Sequence, residues 1–169
     1  MNKILVWFVS RLLSFLASSY WKINYWVYRQ RYDVHHRFRF NGRLIQLYGE
    51  GKIVAGEGSY IGELSTIQAS KGAVVSIGCG CHVSHNVRIY TQSALPDSDF
   101  SIKPVPSKVG DVKIGDYCWV GANVLINPGV EIGRNSVVGA NSVVTKDVPP
   151  DEIWGGVPAK FIRKKNYSS

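Results

Sequence analysis

Two histidines of this chain are close enough in sequence to serve one reaction, in the segment His82-Val83-Ser84-His85-Asn86. Neutral imidazole is available near pH 7, so either side chain could take the proton of an acceptor hydroxyl as a general base. Such a base typically raises a rate by about 10²–10⁴-fold. The alternative is that both histidines are polar surface residues of a repeat protein.

Val83 belongs to a repeat that would hold these histidines in place. An aliphatic residue recurs every six positions, at Ile77, Val83 and Ile89 and then at Ile114, Val120, Ile126, Ile132, Val138 and Val144. A helix has a period of about 3.6 residues and a simple strand a period of about two, so neither predicts this pattern. A short fixed period predicts a solenoid of the hexapeptide β-helix kind, in which three units close a triangular coil. Since Val83 takes the inward position, His82 and His85 should avoid the core.

The repeat divides the 169 residues into three segments of one all-β domain. Residues 1–36 form an N-terminal amphipathic helical segment, residues 37–163 the β-helix and residues 164–169 a basic tail. The repeat stops between Ile89 and Ile114, which predicts an inserted loop over residues 90–111. Loops of that length in a compact domain are usually functional or disordered, so the insertion is a candidate acceptor site.

The N-terminal segment is apolar from Ile4 to Trp21 but is interrupted by Arg11 and several serines. A membrane span needs about 20 predominantly apolar residues. On a helix the polar and apolar side chains separate into two stripes: Arg11, Ser14, Ser18 and Lys22 on one, and Leu5, Phe8, Leu12, Phe15 and Leu16 away from it. Three interpretations stay open: a helix packed on the solenoid or a neighbouring subunit, an in-plane membrane anchor through residues 1–31, and a true span.

The composition is basic, with 20 Lys and Arg against 12 Asp and Glu, for a formal net charge of +8. This charge suits an anionic partner: a nucleic acid, an anionic membrane or a phosphate-bearing ligand. No nucleic-acid-binding signature accompanies it, so no nucleic-acid partner is expected. The three cysteines are an odd number and are interpreted as reduced thiols. We therefore expect a cytoplasmic protein, either free or peripheral at the inner face of the membrane.

Longer motifs in the C-terminal third carry a family resemblance. They are Ile-Gly-Asp-Tyr-Cys-Trp-Val-Gly-Ala (114–122), Ile-Asn-Pro-Gly-Val-Glu-Ile-Gly (126–133), Val-Gly-Ala-Asn-Ser-Val-Val-Thr-Lys-Asp (138–147) and Gly-Gly-Val-Pro-Ala-Lys (155–160). The chain resembles the hexapeptide-repeat acyltransferases, and most of all the galactoside, maltose and polysaccharide O-acetyltransferases. The resemblance is close over residues 112–163, looser back to about residue 44, and absent over residues 1–43. It implies a left-handed parallel β-helix, a homotrimer with active sites between subunits, and acetyl-CoA as donor. We expect no metal.

The resemblance also implies which histidine is the base. Acyltransferases that act on nucleotide-linked sugars carry a similar His-x-x-His-(Asp/Asn) stretch, whose second histidine is the base. That role maps onto His85, with His82 and Asn86 beside it. In the galactoside branch the catalytic histidine comes later, at a position that falls on Ala94 here. Either the base has moved to His85, or the substitution inactivates the protein, or the protein no longer acetylates; the motif favours His85.

The resemblance assigns the remaining site residues by position. The backbone N–H of Ala122 would contact the thioester oxygen, and Trp119 would shape the acceptor side of the cleft. The pantetheine arm would pass Gly121, Ala140 and Thr145. The phosphates of the coenzyme would meet Lys146, Lys160 and Arg163, to which the basic run adds Lys164. In the insertion, Tyr90, Asp97 and Asp99 could hydrogen-bond sugar hydroxyls, or the insertion could clasp the neighbouring subunit.

The sequence therefore predicts an acetyl-CoA-dependent O-acetyltransferase acting on a hydroxyl of a sugar or polysaccharide precursor, by direct transfer with a histidine base. N-acetylation of an amino sugar, acetylation of an antibiotic and a non-catalytic trimeric scaffold are the alternatives. A zinc enzyme on the same fold would need three converging histidines, and only His82 and His85 are expected on the solenoid.

Overall fold

The computed structural model describes residues 3–167, which form one helix followed by a solenoid of about five coils. The ends of two predicted segments, residues 1–2 and 168–169, lie outside the described residues. The helix is α1 (Lys3–Arg31). The first coil consists of β1 (Asp33–Val34), β2 (Arg39–Asn41) and β3 (Gln46–Tyr48), and the second of β4 (Lys52–Ala55), β5 (Tyr60–Gly62) and β6 (Thr66–Gln68). The third coil consists of β7 (Val74–Ile77), β8 (His82–Val83) and β9 (Arg88–Tyr90), and the fourth of β12 (Val112–Ile114), β13 (Trp119–Val120) and β14 (Leu125–Ile126). The fifth coil consists of β15 (Glu131–Ile132), β16 (Val137–Val138) and β17 (Val143–Val144). The hairpin β10 (Gln92–Ala94) and β11 (Ser107–Val109) interrupts them, and β18 (Glu152–Gly155) and β19 (Lys160–Lys164) follow.

Three sheets form the three walls of the solenoid. Wall A has the strand order β1-β4-β7-β12-β15, wall B has β2-β5-β8-β13-β16-β18-β19, and wall C has β3-β6-β9-β14-β17. Each coil gives one strand to each wall, and neighbouring coils pair in parallel. The prediction of a parallel β-helix with an N-terminal helix is confirmed, and the hand of the coil stays a prediction. The first strand, β1, lies before residue 37, where the sequence placed the start of the β-helix.

The six-residue repeat is visible as ladders of inward side chains. In wall C the register aligns one aliphatic residue from every coil, and all of them are buried: Leu47, Ile67, Ile89, Ile126 and Val144. Full burial of such a side chain contributes about 1.5–3 kcal/mol. Neighbours along a strand point to opposite faces of the sheet, so the residues directly before and after each of these positions point out of the solenoid.

The insertion at residues 90–111 contains an antiparallel hairpin rather than loop alone. Its strands β10 and β11 pair, with Ala94 opposite Ser107. The backbone N–H of Gly110 donates to the carbonyl of Thr91 at 2.9 Å, which closes the base of the hairpin. The chain therefore leaves and re-enters the solenoid at one corner, between walls C and A.

The C-terminal half of α1 covers the open end of the first coil. The ring of Tyr25 stacks on Phe40 with centroids 4.4 Å apart. The guanidinium of Arg29 donates to the carbonyls of His35 at 2.7 Å and Phe38 at 2.5 Å. Under this cap the side chain of Phe38 is buried. The second half of the helix is therefore packed on the solenoid, whereas residues 3–16 are all exposed.

We expect Arg29→Ala to lower the free energy of unfolding by about 2–3 kcal/mol, because hydrogen bonds to charged groups contribute about 1.5–3 kcal/mol each. Urea unfolding followed by circular dichroism measures this change. Lys22→Ala, at an exposed cation two turns earlier on the same helix, is the control and should change stability by less than about 0.5 kcal/mol. Equal losses in the two variants would show that Arg29 does not fasten the cap.

Candidate functional site

Corresponding positions of successive coils line up at the corner between walls B and C. The register of wall B aligns Ile61, Val83, Val120 and Val138. Two positions later in each coil the chain turns this corner, and adjacent coils are about 4.8 Å apart. The four residues at that position form the corner column: Glu63, His85, Ala122 and Ala140. The structure therefore brings His85 and Ala122 to neighbouring coils at one edge.

The imidazole of His85 is exposed and is held by the preceding coil. Its Nδ1 accepts a hydrogen bond from the backbone N–H of Glu63 at 3.1 Å. A neutral imidazole that accepts at Nδ1 carries its hydrogen on Nε2, so in this orientation the free edge of the ring is a donor. Turning the ring by half a revolution about Cβ–Cγ releases the Glu63 N–H and allows a nitrogen with a free lone pair to face outward. That turn gives up one exposed hydrogen bond, which is worth about 0.5–1.5 kcal/mol.

His82 occupies a different surface, the outer face of wall B. It is exposed, and its ring centroid lies 5.1 Å from that of Tyr60 on the preceding coil. Trp119 is its partner on the next coil, with about half of its surface exposed (52%). Within residues 3–167 the imidazole of His82 makes no hydrogen bond. Wall B therefore presents an aromatic face beside the corner column.

An asparagine ladder fixes the turn next to the corner column. Asn86, Asn123 and Asn141 have φ angles of 53°, 60° and 59°, in the left-handed region that asparagine tolerates better than most residues. Asn86 Nδ2 donates to Asn123 Oδ1 at 2.9 Å, and Asn123 Nδ2 donates to Asn141 Oδ1 at 2.9 Å. The sequence prediction placed Asn86 beside the base, and the structure places it in this ladder, where it holds the turn that carries His85.

The backbone N–H of Ala122 is available to a ligand. Among residues 3–167 it donates to no acceptor, and the residue is half-buried. Gly121 keeps the adjoining coil close, because a Cβ at this position would lie 2.5 Å from the backbone nitrogen of Ala140. A fixed, unpartnered N–H is the kind of group that stabilises a developing oxyanion. It lies one coil away from His85.

The Gly-Gly-Val-Pro-Ala motif contacts the last coil at the same corner. The hydroxyl of Ser142 donates to the carbonyl of Gly139 at 2.7 Å and accepts from the N–H of Gly156 at 3.0 Å. Strand β19 starts directly after this motif, and its residues Lys160 and Arg163 are exposed. Lys160 lies opposite Gly155, beside the end of the corner column, and Arg163 lies opposite Ile153 at the start of β18. Both are cations that the phosphates of a coenzyme can meet.

Other predicted site residues lie at the opposite edge of wall C. Thr145 and Lys146 directly follow β17 and are exposed at the corner between walls C and A. Tyr90 is half-buried at the end of β9, at this same corner. In a single chain, a pantetheine path past Gly121 and Thr145 would thus have to cross the whole of wall C.

The hairpin residues Asp97 and Asp99 are exposed and also belong to that second corner. One carboxylate oxygen of Asp99 accepts from both the N–H and the hydroxyl of Ser101, at 2.9 and 2.7 Å. The Ser101 hydroxyl, followed by its N–H, lowers the pKa of Asp99 below its usual value. Ala94, the position that the family resemblance matched to a catalytic histidine, is exposed on β10. Within a single chain, Asp97, Asp99 and Ala94 are therefore not brought close to His85.

Residues 3–167 contain no group of three His, Cys, Asp or Glu side chains arranged to hold a metal ion. Cys79 is an exposed free thiol, and Cys81 and Cys118 are buried free thiols.

Sequence reasoning missed Glu63, Asn123 and Asn141. The spacing of the two asparagines could have predicted their contact, because they are 18 residues apart, which is one full coil of three six-residue units. Glu63 contributes only its backbone N–H, and residue type gives no signal for a backbone contact.

Comparisons with known proteins agree on one family. The model of the bacterial transferase hexapeptide (six repeats) matches residues 111–146. Galactoside O-acetyltransferase of Escherichia coli is 54% identical over 55 residues, which are 32% of this chain and 27% of that enzyme. The match therefore spans about a quarter of that relative's length.

Solved structures extend the similarity over most of the solenoid. The hexapeptide-repeat acetyltransferase VCA0836 of Vibrio cholerae, crystallised with acetyl coenzyme A, is 30% identical, with a TM-score of 0.64. That alignment covers 83% of this chain and 75% of the other. The polySia-specific acetyltransferase NeuO is 32% identical with a TM-score of 0.65, over 78% of this chain and 60% of its own length.

Proposed function

This chain belongs to the hexapeptide-repeat acetyltransferases, and we propose that it moves an acetyl group from acetyl-CoA to a hydroxyl of a sugar or polysaccharide precursor. One observation carries the proposal: His85 and Ala122 occupy neighbouring coils of the corner column, and within residues 3–167 the N–H of Ala122 donates to no acceptor. Direct transfer to a hydroxyl needs a base for the acceptor and a donor for the thioester oxygen. A relative crystallised with acetyl-CoA supports the choice of donor substrate.

In the proposed reaction His85 acts after its ring has turned away from Glu63. Its free nitrogen takes the hydroxyl proton of the acceptor as the acceptor oxygen bonds to the thioester carbon. The carbonyl oxygen becomes negative, and the N–H of Ala122 stabilises that charge. When the carbon–sulfur bond breaks, the imidazolium returns the proton to the sulfur of the leaving coenzyme. The acetyl group ends on the acceptor oxygen, and no acetyl-enzyme is formed.

A homotrimer would complete this site. The residues predicted for acceptor and coenzyme that lie at the other edge of wall C are Tyr90, Asp97, Asp99, Thr145 and Lys146. We propose that a threefold assembly brings this edge of one subunit to the corner column of the next. The corner column, Trp119, Lys160 and Arg163 then come from one subunit, and the hairpin comes from its neighbour.

The chemistry of the product tests the choice between O- and N-acetylation. The full chain is incubated with acetyl-CoA and either a neutral sugar or the matching amino sugar, and the products are treated with hydroxylamine. We expect acetyl groups that hydroxylamine removes, as esters are, with both acceptors. An acetyl group found only on the amino sugar and resistant to hydroxylamine would replace this proposal with an N-acetyltransferase.

A further inference from the structure

The N-terminal half of α1 presents a continuous apolar face that packs on nothing in the described chain. Leu5, Phe8, Leu12 and Phe15 follow each other at steps of three and four residues and are all exposed. The exposed Ile23 and Trp26 continue the same side of the helix beyond that half. The exposed fraction reaches 67% at Phe15. By length and composition α1 could cross a membrane, and no part of its apolar stretch is buried.

The polar side of α1 points toward the solenoid. Arg11, Ser14, Ser18 and Lys22 also follow at steps of three and four residues, and the series continues to Tyr25 and Arg29. Those last two side chains contact the first coil. The solenoid and the polar stripe therefore share one side of the helix, and the apolar face points away from both.

The charge of the helix selects an anionic surface. Between Lys3 and Arg31 there are five cationic residues and no Asp or Glu. Each cation near an anionic lipid surface contributes about 1 kcal/mol to binding. Aromatic residues such as Tyr20 and Trp26 are exposed on the same helix, and such rings favour the membrane–water interface.

A membrane-spanning orientation of α1 and a contact with a second copy of the helix both fit the apolar face less well. A transmembrane orientation would place Arg11 and its serine stripe in hydrocarbon, at a cost of about 2.5–3.5 kcal/mol for the arginine alone. A second copy of the helix would need the narrow seam of a coiled coil. The apolar surface here is wider than a seam, because Val6, Val9 and Leu13 on its flank are exposed as well.

We propose that α1 lies in the plane of an anionic lipid surface, with its apolar face in the acyl boundary and its polar stripe and the solenoid on the aqueous side. The helix is held to the first coil by Arg29 and Tyr25, so the orientation of the helix sets the orientation of the solenoid. The proposal does not depend on acetyl transfer, and its test measures binding alone.

Co-sedimentation of the full chain with vesicles tests the proposal. We expect the protein to sediment with phosphatidylcholine vesicles that contain phosphatidylglycerol, and much less with phosphatidylcholine alone. Phe15→Glu should weaken binding about tenfold or more, since it removes the burial of a large apolar side chain. Ser14→Glu adds the same charge on the polar side, at an exposed position, and should keep most of the binding.

Phe8→Glu repeats the test at a second position of the apolar face and should behave as Phe15→Glu does. Equal losses in Ser14→Glu and Phe15→Glu would overturn the apolar face as the contact. Failure of the parent chain to bind either vesicle would overturn the lipid surface. A lower oligomeric mass of Phe15→Glu in light scattering, with unchanged vesicle binding, would assign the face to contacts between copies instead.

Discussion

Replacing His85 by alanine is expected to lower the rate of acetyl transfer by about 10²–10⁴-fold, the usual contribution of a general base. His82→Ala is the matched control, because that imidazole is also exposed but faces outward from wall B beside Tyr60. It should leave the rate close to that of the parent chain. The rates are measured as coenzyme A released with a responsive acceptor. Equal rates for His85→Ala and the parent chain would contradict the assignment of the base.

A glutamine at position 85 separates two roles for this side chain. In the structure Nδ1 of His85 accepts from the N–H of Glu63, so the outward nitrogen of the neutral ring is a donor. The amide of glutamine can donate a hydrogen bond but cannot take a proton at neutral pH. We expect His85→Gln to be as slow as His85→Ala. Substantial activity in His85→Gln would show that His85 donates to the transition state and that the proton goes elsewhere.

The second large effect is expected at Gly121. A Cβ there would lie 2.5 Å from the nitrogen and 2.8 Å from the Cα of Ala140, and both are backbone atoms that cannot move without separating two coils. Gly121→Ala should therefore lower the free energy of unfolding by about 1–3 kcal/mol, as overpacking does. It should also weaken acetyl-CoA binding, because the N–H of Ala122 would shift with the backbone.

Gly139 provides the matched control, at the position equivalent to Gly121 one coil further along. A Cβ there would find its nearest atom, the carbonyl oxygen of Trp154, at 3.5 Å, which is ordinary contact. Gly139→Ala should keep or raise the stability by up to about 1 kcal/mol, through the lower entropy of its unfolded chain. Thermal unfolding and acetyl-CoA titration compare the two variants. Similar behaviour of both would contradict the close approach at Gly121.

The six-residue period could predict the fold and the corner column because it fixes the register. One coil of three units returns the chain to the same corner, so Ala122 and Ala140 had to align. The same arithmetic places Thr145 almost one wall beyond Ala140, although the resemblance assigns both residues to the path of the pantetheine arm. When the role of a residue is inferred from a family resemblance, the register of the coils is therefore needed to decide which subunit supplies that residue.

Other features depend on contacts that no periodicity describes. The orientation of the His85 ring follows from one backbone N–H in the preceding coil. The cap on the first coil depends on Arg29 reaching two carbonyls, and carbonyls leave no mark in a pattern of residue types. The hairpin within residues 90–111 forms by pairing across the insertion, where the repeat gives no register.

Acceptor-dependent release of coenzyme A from acetyl-CoA tests whether this chain is an acetyltransferase that uses His85. The full chain is offered a panel of sugars, oligosaccharides and antibiotics, with His85→Ala assayed in parallel. We expect coenzyme A to be released with at least one sugar or glycan, in an amount equal to the acetyl ester formed, and this release to be lost in His85→Ala. Coenzyme A that neither binds nor is released with any acceptor would contradict the account and leave the protein as a scaffold on an acetyltransferase fold.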